Sequence, residues 1–92
     1  MNVMINSLEQ FKKQIQSGQL VGVKRLQLSC GLTEFPAEIF DLADSLEILD
    51  LSDNALTSLP DRLPDLPKLK IIFCAFNRFA ELPKVLGKCA AL

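Results

Sequence analysis

Leu46-Glu47-Ile48-Leu49-Asp50-Leu51-Ser52-Asp53-Asn54-Ala55-Leu56-Thr57-Ser58-Leu59-Pro60 aligns with Leu69-Lys70-Ile71-Ile72-Phe73-Cys74-Ala75-Phe76-Asn77-Arg78-Phe79-Ala80-Glu81-Leu82-Pro83 at an offset of 23 residues. Apolar residues, Asn and Pro fall in the same columns. Self-similarity at such a period marks stacked supersecondary units that bury a continuous core only by packing on one another. The spacing L-x-x-L-x-L-x-x-N-x-L predicts an α/β solenoid of short parallel strands.

A third copy lies upstream. Val23, Leu26, Leu28, Leu32, Phe35 and Pro36 match Leu46, Leu49, Leu51, Leu56, Leu59 and Pro60. One residue is missing between Leu28 and Leu32, so Cys30 or Gly31 occupies the Asn column. Apolar residues recur three and six positions after each Pro: Ile39 and Leu42, Leu63 and Leu66, Leu86 and Cys89. The repeats are therefore read as 23–45, 46–68 and 69–91. Leu92 takes the first column of a fourth, and the expectation is an N-terminal piece of a longer protein.

The columns have distinct physical roles. Leu26, Leu28, Leu49, Leu51, Ile72 and Cys74 alternate with outward residues and are expected to point into the core. Strands are predicted around Arg25–Leu28, Ile48–Leu51 and Ile71–Cys74. Each chain return must cross the opposite side, because parallel strands need long connections. The return over Ala37 to Leu42 suits a helical turn. Pro64 and Pro67 restrict the next one to extended or 3₁₀ structure. Asn54 and Asn77 sit where the chain leaves the sheet, placed to bond backbone groups that the bend leaves unpaired.

Residues 1–22 are read as an N-terminal helical cap. Met4, Leu8, Phe11 and Ile15 fall on one helical face. Ser7 is the expected N-cap with Gln10 as its capping-box partner, and Gly18 the C-terminal left-handed residue. The predicted helix covers about residues 8–16. It either covers the first repeat or lies on a membrane surface, and only Lys12 and Lys13 enrich its polar face for the second role.

Composition narrows the function. The 92 residues make one domain, and 49% are hydrophobic. The net charge of −1 argues against a general nucleic-acid or acidic-membrane binder. No apolar run is long enough to span a bilayer, and no signal peptide is visible. An odd cysteine count, Cys30, Cys74 and Cys89, reads as free thiols in a reducing compartment, and the cytoplasm is the expected location. Residues 26–61 carry eight acids and no Lys or Arg, so the middle of the body is expected to be acidic between basic ends. That stripe is either solvated surface or a steering field for a basic partner.

Catalytic chemistry finds no support. The chain has no histidine, no Cys-x-x-Cys and no glycine-rich phosphate loop. No catalytic, cofactor-binding or metal residue is assigned, and the chain is not expected to be an enzyme. The outward strand positions remain. Ile48, Ile71, Phe73 and Phe76 cluster there, with Asp50 between them and Arg25 and Gln27 at the rim. Contiguous exposed apolar surface marks an interaction site, either for a protein or peptide partner or for a downstream part of the same protein. The chain is read as a protein-interaction module with no nucleic-acid or membrane partner. A homodimer through residues 69–92 is expected from the exposed end of the sheet.

These columns resemble the leucine-rich repeat over residues 23–92. The 23-residue period with Leu59-Pro60 and Leu82-Pro83 looks like the Ras-suppressor-like class of intracellular repeats. The resemblance implies an arc with its parallel strands on the concave face, binding polypeptides there. The run Leu26-Gln27-Leu28-Ser29-Cys30-Gly31-Leu32-Thr33-Glu34-Phe35-Pro36, followed by Leu46-Glu47-Ile48-Leu49-Asp50-Leu51, resembles the N-terminal segment of bacterial leucine-rich-repeat proteins that carry a protein-kinase-like domain. That implies a non-catalytic regulatory segment of a kinase, and no kinase motif lies within the chain.

Overall fold

A computed structural model of the chain describes residues 2–81 and 83–89. Four strands, β1 (Asn2–Ile5), β2 (Arg25–Leu28), β3 (Ile48–Asp50) and β4 (Ile71–Phe73), form one parallel sheet in chain order. One α-helix, α1 (Leu8–Gln16), follows β1, and 3₁₀ segments follow the others at Ala37–Leu42, Leu63–Asp65 and Lys84–Lys88. The register repeats the sequence period: Asn2 pairs with Arg25, Arg25 with Ile48 and Ile48 with Ile71. The short second return suits its prolines, since Pro64 gives up no amide that the tight turn needs.

The N-terminus corrects the sequence reading. The apolar columns place residues 1–20 outside the repeat, yet Val3 pairs with Leu26 and Ile5 with Leu28 at the same offset. Ile5 is buried, as its column requires. Met4 is not on the helical face at all. It lies in β1 beside Gln27 and is 75% exposed. The available edge of β2 draws this short segment into the sheet, where its backbone groups find partners.

The helix itself begins and ends where expected. Ser7 is extended, and its Oγ accepts the Gln10 amide at 3.3 Å. Gly18 takes φ +77, the left-handed value that stops a helix without a Cβ clash. Phe11 is fully buried, while Leu8 and Ile15 pack partly against the core. Lys12 reaches Glu38 at 3.9 Å, tying α1 to the first 3₁₀ segment.

The inward columns form the core. Leu26, Leu28, Leu49 and Leu51 have no solvent exposure, nor do Leu46 and Leu56. Ile72 and Cys74 are only half-buried, because β4 ends the strand order among the described residues. Strands β3 and β4 stop one residue short of Leu51 and Cys74. Leu51 still donates its amide to the Phe73 carbonyl at 2.7 Å, but its own carbonyl has turned to two asparagine side chains.

Those side chains close the bends. Asn54 Nδ2 donates to the carbonyls of Leu28 (2.8 Å), Leu51 (2.9 Å) and Ser52 (3.3 Å), and its Oδ1 accepts the amides of Cys30 and Leu32. Asn77 repeats the pattern, donating to Leu51, Cys74 and Ala75 and accepting from Leu56 at 3.0 Å. Each amide joins its own repeat to the preceding one. Ser45 ties the end of the first repeat to its start, donating to the Val23 carbonyl at 2.7 Å.

The three cysteines are free and half-buried. Partial burial pushes all three thiols above their ordinary pKa. Cys89 packs against the core and directs its thiol to the Val85 carbonyl at 3.6 Å.

Two outcomes are expected. Asn54→Ala leaves more groups unpaired than Asn77→Ala, so it lowers the urea midpoint further, each loss being about 1–3 kcal/mol. Equal or negligible shifts would show that water replaces the amide. The raised thiol pKa values predict less thiolate in the folded chain than in the unfolded chain at the same mildly alkaline pH. Iodoacetamide labelling followed by mass spectrometry should therefore accelerate at all three cysteines once urea unfolds the chain.

Candidate protein-binding face

The register arranges the outward side chains in two rows across the sheet. One row runs Asn2, Arg25, Ile48, Ile71 and the other Met4, Gln27, Asp50, Phe73. Neighbouring strands stand roughly 4.8 Å apart, so successive members of a row are lateral neighbours. The structure thus brings Arg25, Gln27, Ile48, Asp50, Ile71 and Phe73 onto one face. Phe76 lies just beyond β4, at the rim.

Exposure grades along the face. Arg25, Gln27, Ile48 and Asp50 are half-buried by their neighbours. Ile71 is 44% exposed, Phe73 45% and Phe76 80%. Asp50 is held in place, because its Oδ1 accepts the Ser52 amide at 2.9 Å. Met4 belongs to the same row and escaped the sequence reading. Its signal was present: it stands 23 residues before Gln27, between Val3 and Ile5 of the inward columns.

The rim has a backbone signature. Asp53 and Phe76 occupy equivalent positions one repeat apart, and both are left-handed, with φ +62 and +55. Asp53 donates its amide to the Ala75 carbonyl at 3.0 Å, which sets it beside the turn that carries Phe76. Aspartate tolerates this conformation. A bulky aromatic is strained in it by roughly 1–2 kcal/mol.

Charge on this side is unevenly matched. Glu47 pairs with Lys70 at 3.5 Å across the start of the strands. Among the described residues, no ion pair involves Asp50 or Asp53. Nor do these residues contain a group of three or more His, Cys, Asp or Glu able to hold a metal. Burial that raises the thiols keeps them protonated, which is the opposite of what a nucleophile requires. No helix among the described residues is long and apolar enough to cross a membrane. An open groove of about 400 Å³ lined by Thr57, Asp61, Glu81 and Lys84 belongs to the turns after the Asn columns and not to the strand rows.

Residues 44–86, just under half of the chain, match the sequence model of the family described as Leucine Rich repeats (2 copies). They span the second copy and most of the third, including both bonded asparagines. The segment is a leucine-rich-repeat module, with parallel strands and short 3₁₀ connections. Such modules are characteristically non-catalytic scaffolds, and they generally make protein–protein contacts on their concave sheet face.

Proposed function

We propose that the chain binds a polypeptide on the strand face through Ile48, Asp50, Ile71, Phe73 and Phe76, with Arg25 and Gln27 at the edge. The observation that carries this reading is the exposure of Ile71 and Phe73 on the outward face of β4, with the exposed Phe76 just beyond the strand. None of the three is needed to fill the core, and contiguous apolar surface of this kind marks interaction sites. Free cysteines and a neutral-to-acidic surface suit work in the cytoplasm. The 23-residue period and its Leu-Pro pairs favour the Ras-suppressor-like class within the repeat family. In this reading α1 serves as the N-terminal cap, with three repeats following from Val23. The run over residues 26–51 favours a second reading, in which the same face belongs to a regulatory segment of a larger protein kinase.

Phe73→Ala should weaken a peptide selected from a random library by about 1–3 kcal/mol, with little change in melting temperature. Titration calorimetry and a thermal melt read the two quantities. Unchanged affinity with a large loss of stability would make Phe73 a core residue and remove the proposal.

Self-association through residues 69–92 belongs to the same proposal, although Leu82 and residues 90–92 of that span lie outside the described residues. Among the described residues β4 has a neighbour on one side only. A strand edge of this kind can template pairing with a second chain. Light scattering should show a mass that rises with protein concentration toward the dimer, and a constant monomer mass would sink the idea.

A further inference from the structure

We infer that the face is built to seat an arginine side chain of its polypeptide partner between Phe73, Phe76, Asp50 and Asp53. The inference rests on the proposed peptide-binding function and names the chemistry it recognises. Asp50 is the direct cross-strand partner of Phe73. Asp53 is the one-repeat equivalent of Phe76 and bonds to the turn that carries it. The backbone thus sets one aspartate on β3 and another at its exit, each next to the part of the following repeat that carries an exposed phenylalanine. Among the described residues neither carboxylate has a cationic partner.

Charge complementarity decides the occupant. A purely apolar ligand would desolvate the Asp50 and Asp53 carboxylates without supplying a counter-charge, which is unfavourable. A lone ammonium would satisfy the carboxylates but use the rings poorly. A planar guanidinium does both, stacking on an aromatic face while its forked N–H groups donate to carboxylate oxygens. Ile71, on the same face and 44% exposed, offers apolar surface for the methylene stem. The chain already shows the combination elsewhere: the Arg62 guanidinium lies 4.3 Å from the centre of the Phe40 ring while its Nε donates to Asp65 at 3.2 Å. Phe76 fits the same account, because it is held in a strained backbone conformation with its ring 80% exposed, where it contributes little to packing.

The test uses the full chain and two synthetic probes, acetyl-Leu-Arg-Leu-amide and the same peptide with citrulline in place of arginine. Citrulline keeps the shape and loses the charge. NMR ring resonances of Phe73 and Phe76 report binding. The arginine probe should shift both rings saturably, and added salt should weaken it. In the double variant Asp50→Asn/Asp53→Asn the arginine affinity should fall at least fivefold. The first substitution keeps an acceptor for the Ser52 amide, and the second introduces a side chain that tolerates the left-handed turn, so amide dispersion should stay native. Phe76→Leu should give a comparable loss. Equal shifts with the citrulline probe would overturn the inference while leaving the face a peptide-binding surface. Arginine binding that survives loss of both carboxylates would overturn it as well. Absence of shifts with either probe would also overturn it, and the library-selected peptide and Phe73→Ala then judge the broader function on their own.

Discussion

Everything in this fold hangs on how the backbone is satisfied where it leaves the sheet. A parallel strand that turns away after three or four residues strands its carbonyls and amides in a partly buried bend, where an unmade hydrogen bond is costly. An asparagine in each of the second and third repeats solves this, since a primary amide offers two donors and an acceptor in one plane. Asn54 and Asn77 each reach back to the preceding repeat as well as their own. The bonds therefore fix the period: a side chain that must touch the same groups in every turn cannot drift in register. With the register fixed, the leucine columns face inward and the alternate positions face out.

The direction of those bonds explains the damaged first copy. Asn54 serves the bend of repeat one, accepting from Cys30 and Leu32. An asparagine in the column of Cys30 or Gly31 would serve the bend after β1. No such bend exists, because the chain enters α1 through the Ser7 cap. The Ile5 carbonyl takes the Ser29 amide instead, at 3.2 Å. The column is free to lose its asparagine and one residue of length, and Gly31 absorbs the shortened turn at φ +69.

Local spacing made part of this fold legible in the sequence, and tertiary context hid the rest. The period, the three later strands and the inward columns follow from apolar spacing alone, and the 3₁₀ form of the second return follows from Pro64 and Pro67. The helix was legible from Ser7, Gly18 and the spacing of Leu8, Phe11 and Ile15. Strand β1 was not. Four residues are too few for a reliable alternation, and Met4 falls by coincidence in helical phase with Leu8 and Phe11. What makes β1 a strand is the open edge of β2, a tertiary fact. The left-handed turn at Phe76 was hidden for a different reason. Glycine or asparagine advertises positive φ and phenylalanine does not, so only the column shared with Asp53 carries the signal.

The outward rows answer to other demands than the core. Their side chains fill no interior volume, so fold stability constrains them weakly, and they change character from strand to strand: Asn2, Arg25, Ile48 and Ile71 in one row, Met4, Gln27, Asp50 and Phe73 in the other. Phe76 goes further, because its conformation opposes stability by roughly 1–2 kcal/mol and its exposed ring returns little packing. Asparagine or glycine at that position would relieve the strain and keep the turn. A residue that makes the fold worse in a place where a better choice is sterically simple is best understood through what the face meets. In the proposed reading, Asp50 and Asp53 near the two phenylalanines give that contact a sign as well as a shape.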